Sequence, residues 1–444
     1  MKQPSCLREF ARYASLNVLG MIGLSCYILA DTYFISLGMG ADGLAALNLA
    51  IPVYSFIHGS GLMVGMGGGT KYSIRQNQGE PEEADRAFSA SVLLAAGFAV
   101  VFFTAGLLLP GTLARLLGAD GAVFEMTATY LRVILLFAPM FLFNNLFLCF
   151  VRNDGAPQLA MAAMVLGSLS NVVLDYVFIF PLGLGIFGAA LATGVAPIVS
   201  MMILSAHRIR GHCRFHLRRF LPKARLLGGI CSAGVPSLIT ELSSGVVMIA
   251  FNAILLSICG SVGVAAYGVI ANLSLVVIAI FTGISQGIQP LLSRRYGSGQ
   301  RRELGAILRY ALVSAVMIAA AVYVVTFLWA GPVTTLFNSE GNARLQEIAE
   351  AGLRLYFIGC PFAGVNIILS VYFASIEQPV PGQVIALLRG FAVILPMAFA
   401  LAAAFGLTGV WCAFPVTEAI VTGVSIVLYR KARHLPPPLP EFLS

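Results

Sequence analysis

Residues 10–37 read FARYASLNVLGMIGLSCYILADTYFISL, an apolar run of 28 residues with one acid, Asp31, near its far end. About 20 apolar residues in a helix cross the roughly 30 Å hydrocarbon core of a bilayer. This run is therefore long enough to span. Lys2, Arg8 and Arg12 precede it like the start of a signal peptide, but the run is too long, contains Asp31 and lacks an A-x-A cleavage site, so it reads as a first span. A charge at a membrane-helix centre costs about 2.5–3.5 kcal/mol on insertion scales, so such residues tend to mark an ion or substrate path. Asp175, Glu241 and Glu418 stand in comparable apolar runs.

The whole chain repeats this character. Of 444 residues, 59% are hydrophobic and 10% charged, with mean hydropathy +0.90, whereas soluble domains carry roughly 25% charged residues. Twelve spans are predicted, near 10–37, 43–70, 86–110, 123–150, 157–181, 185–206, 226–259, 263–291, 304–330, 345–376, 382–404 and 408–430. Prolines such as Pro52, Pro236, Pro361 and Pro415 fall within them and read as static kinks. The net charge of +8 does not point to nucleic acid, because the basic residues gather in alternate loops. Lys71, Arg75 and Arg86 lie in one, Arg208 to Arg225 in the next, Arg294 to Arg302 in a third, and Arg430 to Arg433 in the tail. Such positions set orientation, with basic loops and both termini in the cytoplasm, and meet anionic lipid headgroups. The eight cysteines are scattered with no metal-binding spacing and read as free thiols.

The two halves match at an offset near 220. Gly43-Leu44-Ala45-Ala46 pairs with Gly263-Val264-Ala265-Ala266, Gly79 with Gly299, Leu131-Arg132 and Pro139 with Leu353-Arg354 and Pro361, and Gly185 to Gly188 with Gly406 to Gly409. The expected fold is an all-α integral membrane protein of twelve helices in two pseudo-symmetric six-helix bundles, a parallel repeat. The bundles are 1–206 and 226–444, joined by a basic cytoplasmic linker, 207–225. An even number of spans per half gives both the same orientation, and a substrate site is expected between or within the halves.

Asn171 and Asp175 are four apart and share a helix face. If spans 1, 4, 5 and 6 form one bundle, Asp31, Asn145, Asn171, Asp175 and Thr193 can converge as a hard-oxygen set suited to Na⁺ or to a shared proton. The metal ligands, for Na⁺, would be Asp31, Asn171, Asp175 and Thr193. Glu241, five residues after Pro236, would face the first bundle as a second coupling site or a contact for cationic substrate. Arg389 is expected to form a structural ion pair with Glu418, or else with Glu377. Gly65-Met66-Gly67-Gly68-Gly69-Thr70-Lys71 lacks phosphate-loop spacing and reads as close helix packing or flexibility. His58 and the other histidines form no ligand cluster, and no nucleophile–base or metal motif suggests an enzyme. With no ATP-hydrolysing domain, transport energy would come from an ion gradient.

At these residues the chain resembles the multidrug and toxic compound extrusion (MATE) transporters of the bacterial branch. The carrying residues are Ala30-Asp31-Thr32, Pro236 to Glu241, Asn171 and Asp175 with Thr193, Arg152 to Pro157, and Val410 to Pro415. The resemblance implies a V-shaped pair of six-helix bundles opening alternately to the two sides, and Na⁺- or H⁺-driven export of amphipathic, often cationic, organic compounds by alternating access. It implies a cation site at Asp31, Asn171, Asp175 and Thr193, with Asn145 nearby. It also implies a possible role for Glu241, although the acid that one branch has in span 10 is here only Asn366. A monomer in the bacterial inner membrane, without cofactor beyond the coupling ion, is expected. The alternative is a flippase for a lipid or lipid-linked sugar.

Overall fold

The computed structural model describes residues 5–338 and 341–433. Lys2 and the outermost residues of both predicted bundles lie outside the described residues. Described residues form helices and no strand: α1 (Cys6–Asn77), α2 (Pro81–Leu108), α3 (Pro110–Leu116), α4 (Gly121–Leu136), α5 (Ala138–Asn153), α6 (Pro157–Ile179) and α7 (Gly185–Ile209), then α8 (Ala224–Gly297), α9 (Arg301–Leu328), α10 (Ala330–Phe337), α11 (Ala343–Tyr356), α12 (Cys360–Ser375), α13 (Pro379–Leu387) and α14 (Ile394–Arg433). Nine stretches among them are long and apolar enough to cross a bilayer, counting α4 and α5, bent by 48°, as one. Three of the nine break at a glycine (α1 at Gly40, α8 at Gly260, the α13–α14 stretch at Gly406), which gives the predicted twelve. The basic ends run further into helix than the loops read from sequence: Lys71 and Arg75 lie on α1, and Arg294 and Arg295 on α8.

The backbone repeats as the landmarks do. Gly40 has φ 64°, ψ −149° and Gly260 has φ 65°, ψ −155°. Those torsions are nearly barred to residues with a side chain, so each turn between paired spans is fixed to one residue. α2 and α9 are both 28 residues long. The bend before Pro139 is matched by a 3-10 turn, Phe357–Gly359, before Pro361.

The halves meet at the end that carries the basic loops. A side chain at Gly67 would strike the Ile230 carbonyl, and one at Gly234 the Met63 carbonyl. Small residues are what let two membrane helices approach this closely, so the glycine run after Gly65 is indeed a packing surface. Arg294 and Arg295 hold Glu9 at 2.9 and 2.6 Å, and Lys71 holds Glu377 at 3.6 Å. Glu377 therefore pairs across the halves, not with Arg389. Among the described hydrogen bonds and ion pairs that join the halves, His58–Glu241 lies furthest toward the Gly40 end.

The connecting segment is strapped to the first half. Asp154 accepts from Tyr72 Oη (2.7 Å), the Arg214 backbone N–H (2.9 Å) and Arg214 Nε (3.0 Å), and bonds His207 Nε2 at 2.8 Å. Asp85 accepts from the His216 N–H (2.8 Å) and Arg218 Nε (3.2 Å). Phe215 fills a cluster with Tyr72, Phe88 and Phe150.

Candidate ion and substrate sites

Asp31 lies beyond the middle of the first arm of α1, and Asn171 and Asp175 lie on successive turns of α6. Their shared face points into the first half: Asp31 is 6% exposed, Asn171 and Asp175 0%, and Thr193 on α7 4%. The Asp31 and Asp175 carboxyls are neighbours in this buried site. Two neighbouring carboxyls can share one proton, and the same oxygens suit a small cation. The Asn171 amide is satisfied at both ends when its nitrogen donates to Asp175 Oδ2 (3.0 Å) and its oxygen accepts from the Thr193 N–H (3.2 Å). Oδ1 of Asp31 and Oδ1 of Asp175 remain buried without a hydrogen-bond partner. Buried polar atoms are nearly always satisfied, so two orphaned acid oxygens in this buried site mark a place that suits a positive partner. Neither acid forms an ion pair among the described residues.

Three tyrosines complete this region. Tyr27 and Tyr54 share a hydroxyl–hydroxyl bond of 3.0 Å, and Tyr130 is 3% exposed. All three are buried or nearly so. Tyr27, four residues before Asp31, had a local signal, since that spacing sets both on one face. Tyr54 and Tyr130 had none.

A cavity with about 830 Å³ of empty space, open solvent at its mouth included, reaches from Asn171 and Thr193 past Tyr27 and Tyr54 to Glu241. Asn145 lies on its wall, and its amide donates to the His58 carbonyl at 3.2 Å; no described hydrogen bond links it to the acid pair. Glu241 projects from α8 toward the first half, 3.4 Å from His58 Nδ1. Its approach depends on Gly59, whose missing side chain leaves Glu241 Cβ 3.0 Å from that position.

The second half handles its acid differently. Glu418 takes Arg389 Nη2 (2.8 Å) and Nε (3.1 Å) on one oxygen, and the Asn366 amide (2.7 Å) on the other. Asn366 Oδ1 in turn accepts from Ser425 (2.9 Å) and Thr422 (3.2 Å). Arg389 lies in a π-helical segment, Leu388–Ala392, that joins α13 to α14. This carboxylate is charge-paired and fully bonded. It is closed to further cations, whereas the acid pair in the first half is not.

Comparison with known proteins bears on the fold and the family. The chain matches a crystal structure of a MATE protein in complex with MaL6 with a TM-score of 0.90 and 26% identity, covering 97% of this chain and 96% of that one. It matches the outward-facing conformation of a multidrug resistance MATE family transporter of the MOP superfamily with a TM-score of 0.89 and 27% identity, over 96% and 95% of the two chains. It is 25% identical over 436 residues to the multidrug export protein MepA of Staphylococcus saprophyticus, 97% of this chain and 95% of that protein. Fold and relatives together define a multi-pass membrane transporter, not an enzyme. The chain belongs to the MatE family, whose family model matches residues 18–177 and 236–405.

Proposed function

We propose that the protein is a cation-coupled exporter of amphipathic organic compounds, many of them cationic, working by alternating access in the bacterial inner membrane. The observation that carries the coupling is the contrast between the halves. Glu418 has its guanidinium, while Asp31 and Asp175 have each other and two orphaned oxygens. Na⁺ or H⁺ is the coupling substrate, held by Asp31, Asp175, Asn171 and Thr193. No resident cofactor is involved.

The mechanism follows from differential affinity. The contacts between the halves gather at the basic end, which the positive-inside rule puts in the cytoplasm along with both termini. That supports reading this conformation as outward-open. A cation reaching the acid pair from outside replaces the shared proton or screens the mutual repulsion. Organic substrate leaves from the cavity beside it, past Tyr27 and Tyr54, with Glu241 as the negative wall that first attracted it. The divisions 1–206 and 226–444 are the two rocking bodies, with 207–225 between them, and the monomer is the working unit.

The test is dye transport by purified protein in vesicles with Na⁺ and pH gradients imposed separately. One gradient should drive accumulation of a lipophilic cation. No transport under either gradient would overturn the reading. The lipid or lipid-linked sugar alternative gains nothing from the relatives, whose names are those of drug exporters.

A further inference from the structure

Building on the export reading, we infer that the cavity has a second, anion-binding pole at Arg152, which makes amphiphiles carrying both a positive charge and a carboxylate a preferred substrate class. Arg152 ends α5 on the inner wall of the same cavity that Glu241 lines. It is 2% exposed. Its guanidinium touches no carboxylate in the described contacts. Nη1 donates to Asn17 Oδ1 (2.6 Å) and Gln286 Oε1 (3.3 Å), Nη2 faces Met66 Sδ and Cys149 Sγ (both 3.5 Å), and Nε has no partner. The nearest acid in sequence, Asp154, is taken up by Tyr72, His207 and Arg214.

Buried charges are as a rule paired, because a bare one is strongly disfavoured. Every other buried or half-buried guanidinium discussed above has its acid: Arg389 has Glu418, and Arg294 and Arg295 have Glu9. Arg152 instead has neutral oxygens, two sulfurs and an open cavity. The planar fork of a guanidinium is matched to a carboxylate. The two poles stand apart along α1, which both touch. Glu241 packs on Gly59 and Arg152 on Met66, and those contact points are seven residues, or about 10 Å of helix rise, apart. Leu62, Phe141, Leu148 and Met164 give the space between them an apolar wall. A flat organic body with a cation at one end and a carboxylate at the other therefore fits the charge pattern.

The test uses rhodamine 110, which carries a free carboxylate, and its methyl ester rhodamine 123, which does not. Fluorescence polarisation gives the affinity of detergent-purified protein for each. The carboxylated dye should bind about tenfold or more tightly than the ester, the gain expected of one charge-assisted hydrogen bond. That ratio should fall toward one in Arg152→Gln. It should fall likewise in Gln286→Glu, which gives the guanidinium an acid of its own and removes no buried group. If Arg152→Gln fails to fold, the wild-type ratio and Gln286→Glu still decide. A wild-type ratio near one or below, or a ratio unchanged by either variant, overturns the anion pole while leaving export of cations standing. Binding of neither dye, with no transport of lipophilic cations in vesicles, would instead overturn the export reading on which this inference rests.

Discussion

Asn153 and Gln289 exchange amide hydrogen bonds across the two halves. Asn153 Nδ2 donates to Gln289 Oε1 at 3.0 Å, and Gln289 Nε2 donates back to Asn153 Oδ1 at 3.3 Å. Both residues are buried, and Gln289 also donates to Thr70 at 2.9 Å. Under the alternating-access reading proposed above, a reciprocal amide pair at the seam is a latch that must open for the cavity to face the other way.

The latch gives the first prediction. Removing one partner strands the other, so Gln289→Leu should destabilise the closed seam by about 1–3 kcal/mol. Asn153→Leu with Gln289→Leu should recover part of that loss. Thermal unfolding of the single and double variants in detergent measures the coupling; strictly additive losses would show that the pair does not act as a unit.

The acid pair gives the second. Asp31→Asn keeps shape and hydrogen bonding but removes a charge. It should abolish gradient-driven dye transport while the protein still reaches the membrane, and Asp175→Asn should do the same. Vesicle transport beside a blot of membrane fractions measures both, and normal counter-transport in Asp31→Asn would show that the coupling site lies elsewhere.

The third concerns Glu418. Glu418→Gln leaves Arg389 buried without its charge partner, and breaking one side of such a pair costs about 3–5 kcal/mol. The variant should melt well below the parent. Replacing both Arg389 and Glu418 with Met should recover most of the stability, since the pair's role is architectural.

The strap gives the fourth. Asp154→Ala removes the acceptor for Tyr72, His207 and Arg214 together. Limited trypsin digestion should then cut at Arg214 and Arg218 roughly tenfold faster, as expected from losing charge-assisted bonds worth about 1.5–3 kcal/mol. An unchanged cleavage rate would mean that the Phe215 cluster holds the segment without its acid.

Much of this architecture can be read from the chain because it is written locally. Asn171 and Asp175 share a face by spacing, and Asp31 stands out by its cost in lipid. Gly40 and Gly260 are one turn used twice. What was illegible depends on which helices meet. His58 looked isolated until α8 brought Glu241 to it. Arg152 looked like part of a short cytoplasmic turn, yet it is folded inward beneath the cavity. Asp85 and Asp154 looked like ordinary loop acids, and they anchor the connector. In each case the partner lies far along the sequence, between 53 and 183 residues away on the pairs named here, and no periodicity reports a contact of that range. Asn145 shows the opposite error of scale. It lines the cavity with Asn171 and Thr193, yet its one described bond goes to the His58 backbone.

The strap also sets a limit on travel. With the connector pinned as far as Arg218 and α8 beginning at Ala224, only residues 219–223 are left as a leash. A chain of that length reaches at most roughly 20 Å. Whatever swing the second body makes, its entry point stays within that radius of the Arg218 backbone, which Ser89 holds, so opening toward the basic side has a mechanical stop built into the covalent chain.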